Sequence, residues 1–168
     1  MSLTGASGIN YKLAVNPSEV NATSKYGYKL GDYANHKDGV FQFVQASENI
    51  GQYDAVKVDN DGTCVRLTTT ISGAEPTAVG FAQIAITSGQ RAWVFRGQGG
   101  GSGVGIRVNA LTLCAADVKL YTTATAGAID DTATDLIQGV CLVTTNSGGS
   151  TAAMEVFASQ LMVTNAQD

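Results

Sequence analysis

The sequence predicts an all-β protein: a small β-sandwich or β-barrel of short antiparallel strands, preceded by an extended N-terminal arm. Three observations lead there. From Val40 onward, short runs rich in β-branched and aromatic residues alternate with clusters of Gly, Ser and Asn. Helical periodicity is scarce. The third is an internal echo: Val56-Lys57-Val58 returns as Val118-Lys119-Leu120, and Val94-Phe95 returns as Val156-Phe157 at the same displacement. Two related β units, 51–98 and 114–160, would explain the echo. Chance recurrence of short apolar strings in a Gly- and Thr-rich chain is the alternative.

Residues 1–39 read as the arm. They hold four of the six tyrosines (Tyr11, Tyr26, Tyr28, Tyr33) together with Lys12, Lys25, Lys29 and Lys37, and few branched aliphatics. Neither a helical nor a strand period persists through them, so the stretch buries too little apolar surface to fold alone. Against Glu19, Asp32 and Asp38 the four lysines leave the arm slightly positive, and the rest of the chain carries the negative charge. The β-rich body, 40–168, opens with Val40-Phe41-Gln42-Phe43-Val44. A hairpin follows, with strands at 53–58 and 63–67 joined by Asp59-Asn60-Asp61-Gly62, residues that tolerate positive φ. Further strands are expected at 79–86, 91–96, 105–108, 118–122, 139–144 and 154–158, with short helical turns at 111–116 and within 131–138. The glycine run 97–105 reads as a flexible connector at the seam between the units, or as a tip touching a partner.

Composition narrows the function. Only 14% of residues are charged, against roughly 25% in ordinary domains, so the surface is built of uncharged hydrogen-bonding groups suited to lying against other protein. A net charge of −4 with scattered Lys and Arg argues against nucleic acid. No apolar stretch approaches membrane-spanning length, and the N-terminus has no signal-peptide pattern. Cys64, Cys114 and Cys141 lack metal-ligand spacing and are odd in number, which fits folding in a reducing cytoplasm.

Catalytic and cofactor motifs fail on inspection. The glycine run has no G-x-G-x-x-G register and no following Lys-Ser/Thr, so no nucleotide is expected. Setting Gly62 at the sixth position of a calcium loop puts Lys57 first and Thr68 twelfth, where carboxylates are needed. Asp130, Asp131 and Asp135 read as a solvated acidic loop. His36, the lone histidine, reads as a solvent-facing loop residue without triad or zinc partners. No cofactor, metal or catalytic residue is expected. Trp93 and Phe95 share one strand face with Arg91. They are a core stripe by default, but Glu155 stands where the second unit would repeat Trp93, which suggests partial exposure and a self-association or contact role.

The string Cys114-Ala115-Ala116-Asp117-Val118-Lys119-Leu120-Tyr121-Thr122-Thr123-Ala124-Thr125-Ala126-Gly127-Ala128-Ile129-Asp130-Asp131, followed by Gln138-Gly139-Val140, resembles capsid decoration (cement) proteins of tailed bacteriophages. Gly51-Gln52-Tyr53-Asp54-Ala55-Val56 and Val79-Gly80-Phe81-Ala82 are similar to that family as well. The resemblance spans about residues 50–160 and leaves out the arm. It implies a non-enzymatic virion protein on the outside of an expanded head, often a homotrimer, that staples neighbouring major capsid subunits. On that expectation the arm grips the shell through Tyr11, Lys12, Tyr26, Tyr28, Lys29 and Tyr33, while the body self-associates. Two other readings stand beside it: a head-fibre or adhesion module binding host carbohydrate through Trp93 and Tyr121, and a hydrolase using dispersed carboxylates.

Overall fold

β1 (Tyr33–His36) and β2 (Gly39–Ala46) form a hairpin, with Tyr33 opposite Gln42 and His36 opposite Gly39. β2 is apolar on both faces: Phe41 and Phe43 on one, Val44 and Ala46 on the other, all buried. Such a strand must be covered twice. The computed structural model, which describes residues 9–17, 28–72, 77–132 and 134–164, covers it by closing the sheet on itself. β2 lies parallel to β4 (Thr63–Arg66), which is antiparallel to β3 (Ala55–Val58). β3 pairs with β5 (Thr77–Ala82), β5 with β6 (Arg91–Gly100), and β6 returns to β2 with Phe43 opposite Trp93. The result is a closed ring of five strands. Val44, Ala46, Val56, Val58, Cys64, Ala82, Ala92 and Val94 fill it as one buried cluster.

The same wiring occurs a second time. β7 (Arg107–Ala110) lies parallel to β9 (Ala128–Asp130), which pairs with β8 (Leu120–Thr122). β8 pairs with β10 (Leu136–Leu142), β10 with β11 (Ala152–Thr164), and β11 returns to β7. Strand order and sense match between the rings, and the registers align them. Ala46 beside Cys64 corresponds to Ala110 beside Ile129. Val44 opposite Ala92 corresponds to Val108 opposite Met154. Val94 is therefore equivalent to Val156, as the echo has it, whereas the counterpart of Val56 is Leu120 rather than Val118.

β6 and β11 fuse the rings, with Phe157 opposite Gly100 and Ala158 opposite Gly99; β11 also pairs with β5. The glycine run is thus no flexible connector over 97–100. A methyl group on Gly99 would collide with the Asp38 carbonyl, and one on Gly100, at φ +80, with the Val156 carbonyl. Bare backbone is required where β2, β6 and β11 cross.

Polar bonds lock the seam. The Asp54 carboxylate, 7% exposed, accepts the Gly51 N–H at 2.7 Å and the Asn109 side-chain amide at 2.9 Å. Buried Gln83 imitates a strand, its Nε2 donating to the Arg107 carbonyl at 2.9 Å and its Oε1 accepting the Arg107 N–H at 3.0 Å. Ala55 N–H donates to Gly127 O, and Gly127 N–H to Leu67 O. Each of these seam groups thereby finds a partner.

Elsewhere the expectations need adjustment. Residues 111–116 form turns rather than a helix, because buried Asn146 donates to the carbonyls of Ala110 and Leu111 and holds the chain open. Residues 131–138 run into β10, and the described helix is a single turn at Thr69–Ser72 (α1). The boundary at 39 cuts the β1–β2 hairpin.

Candidate interaction surface

The described parts of the arm lie on the body. Ile9 and Val15 are buried, and Val15 exchanges two backbone hydrogen bonds with Arg91 at 2.7 Å each. The Tyr11 ring stacks on Phe41 at 4.6 Å, and its hydroxyl donates to Asp38 Oδ2 at 2.9 Å. Burial first, and then the Asp38 carboxylate, push the Tyr11 phenol up to about 12. Tyr28 packs edge-on against Trp93 at 5.0 Å. His36 is not solvent-facing: it sits 5.3 Å from the Tyr11 ring and 3.2 Å from Asp38. Lys12 and Lys29 are exposed, the first reaching back over the Tyr11 ring. Tyr33, 60% exposed on β1, is free to meet a partner. Tyr26 lies outside the described residues.

Trp93 and Phe95 do not form a contact patch. They are 3% and 0% exposed, enclosed by Phe41, Phe43, Phe81 and Tyr28. The mismatch with Glu155 misleads for a physical reason. The two rings share wiring but not surroundings: the outer face of the first is covered by the second ring and the arm, and the matching face of the second is open. Glu155 there accepts the Gly103 N–H at 3.1 Å. With Trp93 inside, the Trp93–Tyr121 pair offers no platform for a sugar, and Tyr121 is itself half-buried.

The open face carries the aromatic that matters. Phe157, the counterpart of Phe95, is 53% exposed and borders a shallow hollow of about 370 Å³ with Val118, Gly139 and Cys141. Asp117 and Lys119 flank it, one charge of each sign. An exposed aromatic on a paired strand with few charges around it has the character of an interface anchor. The nearest sequence clue was the Val94-Phe95 and Val156-Phe157 echo, which shows two equivalent phenylalanines but not which one is covered.

A second hollow, about 280 Å³, opens at one mouth of the first ring between Tyr33, Gln42, Asp59, Asn60 and Arg96. Each of these hollows holds one carboxylate, Asp117 or Asp59, so neither pairs two acids for general acid–base work. Cys114 with Asp130 and Asp131 gathers three potential ligand atoms within 4.8 Å. The Asp131 carboxylate is already accepting the Ala115 N–H at 2.9 Å, a loop-fixing role. Burial pushes the Cys64 and Cys114 thiols up to about 12 and raises Cys141, so all three free thiols stay protonated and weakly nucleophilic at neutral pH. The turn at Asp59–Gly62 is a hairpin, with Gly62 at φ +81 and Asp61 accepting from Thr63.

No protein-family model, curated protein or solved structure matches the chain.

Proposed function

We propose that this chain is a non-enzymatic virion protein that sits on the outside of a tailed-phage head and staples neighbouring major capsid subunits. The observation that carries this reading is a rigid body with an exposed aromatic on each side of its seam, Tyr33 beside the first ring and Phe157 on the second. A staple needs two contact surfaces at a fixed separation, and the shared β6–β11 pairing and the Asp54 bonds fix it. A ligand that bridges two subunits only in the expanded shell stabilises that shell by mass action. The weakly charged surface is consistent with lying on protein.

The open Phe157 face is assigned to a second copy of the chain. Asp117 and Lys119 beside the hollow give each copy one charge of each sign, so the positive side of one copy can meet the negative side of the next in a head-to-tail ring. Self-association, a trimer on the family expectation, multiplies weak single contacts through effective concentration. The motifs that resemble decoration proteins work structurally here: Gly51 and Asp54 build the seam.

Co-sedimentation of the purified chain with expanded and unexpanded heads of its own phage tests the reading. Binding to expanded heads alone is expected. Equal binding to both, or none to either, contradicts it.

A further inference from the structure

The interior stripe of β6 runs Ala92, Val94, Arg96, so an apolar ring ends on a guanidinium. The corresponding residue of the second ring is Ala158, opposite Gly99 on β11, and it is fully buried among apolar neighbours. The architecture itself therefore does not require a cation at this layer. Arg96 Nη1 donates to Gln42 Oε1 at 2.7 Å. Its Nε–H is buried and has no acceptor among the described residues. Among the described residues no carboxylate pairs with Arg96: Asp59, the one acid lining this mouth, is held by Lys57 at 3.0 Å. Burial works against the charged form of this side chain. A cation drawn largely out of water without a counter-charge costs desolvation energy that an incoming anion would offset.

The geometry points to a carboxylate-binding site at the mouth of the first ring, filled by an acidic side chain of a partner polypeptide. A planar carboxylate matches the Nε–Nη2 edge of a guanidinium with two parallel hydrogen bonds, which a point-charge lysine could not reproduce. The hollow, about 280 Å³, accommodates an acidic side chain but not a large cofactor. Polypeptide rather than a free small acid is indicated by what stands beside it. Tyr33 presents its ring at the rim, and β1 pairs only with β2 among the described strands. The other edge of β1 leaves backbone groups available to an extended chain, while side-chain pockets next to such an edge supply specificity.

The experiment is an NMR titration of the full-length ¹⁵N-labelled chain with a tetraglutamate peptide, with tetraglutamine and sodium acetate as comparison probes at matched ionic strength. Tetraglutamate should shift the Arg96 Nε–H and the backbone amides of Tyr33 and Asn60 saturably. It should do so at about tenfold lower concentration than acetate, because the peptide also engages the strand edge. Arg66 is the internal control, since its Nε–H also lacks an acceptor among the described residues but its Nη2 already sits 3.3 Å from Glu48. Its signal should stay still. In Arg96→Met the Tyr33 and Asn60 shifts should vanish. In Arg96→Lys, which keeps the charge and loses the fork, the midpoint should rise about tenfold. Equal shifts with tetraglutamine, persistence in Arg96→Met, a midpoint for acetate equal to that for the peptide, or no response to tetraglutamate would each overturn the site. Should Arg96→Met fail to fold, the lysine variant and the neutral peptide decide.

Discussion

Removing the Asp54 carboxylate should loosen the seam between the rings by an amount that can be worked out from its partners. The group accepts from Gly51 N–H at 2.7 Å and Asn109 Nδ2 at 2.9 Å, at a site 7% exposed. In Asp54→Ala the Gly51 N–H loses its acceptor, and Asn109 Nδ2 keeps only the Gln52 carbonyl at 3.1 Å. Leaving a buried donor unsatisfied costs about 1–3 kcal/mol, and Gly51 and Asn109, both half-buried, belong in the lower half of that range. About 3 kcal/mol in total is expected, or roughly 6–12 °C in Tm for a domain of this size. A double-mutant cycle isolates the cross-ring contact, because Asn109→Ala alone removes one of the same two bonds. The coupling between the two substitutions should be about 1–2 kcal/mol, measured by urea unfolding. Additive effects, or an Asp54→Ala chain that melts with the wild type, would show that this contact does not hold the rings together.

Phe157→Ser removes an exposed ring, so stability should change by no more than about 0.5 kcal/mol, while the mass in solution by light scattering should fall to that of the monomer; an unchanged oligomer would exclude this face. Gly100→Ala places a methyl group at φ +80 against the Val156 carbonyl and should cost about 2–4 kcal/mol by denaturant unfolding. Gly149→Ala, in open space, should be neutral. The Tyr11 phenol ionises near 10 in the unfolded chain and near 12 in the folded one. Its contribution is therefore complete below pH 10 and lost as pH rises toward 12. Because the ring is partly exposed, the loss should stay within about 1 kcal/mol, and Tyr11→Phe should flatten that limb of the stability curve.

Local chemistry made much of the fold legible. β2, the β3–β4 hairpin and the core of β6 are dense in β-branched and aromatic residues and bounded by turn formers, and they fall where the pattern puts them. β1 carries no strand signal because Tyr33-Ala34-Asn35-His36 has no apolar face of its own and owes its extended form to β2. β9 is three residues long, too short to carry a period. Residues 111–116 take their course from the distant Asn146, with Leu113 at φ +64, and nothing local announces it.

The interaction surface was harder to read for a related reason. Burial of Trp93 and exposure of Phe157 depend on what packs over two equivalent strands, and that is set by the relation between the rings rather than by either strand. Arg96 was likewise invisible as a site, because its isolation emerges only when β2, β3 and β5 close around it.

The most direct test of the staple is a reconstruction of the mature particle of the phage that encodes the chain. Density for the two-ring body should span the junction between neighbouring capsid subunits, with Tyr33 on the shell and Phe157 against another copy of the chain. Particles without the chain, or density resting on one subunit alone, would contradict it.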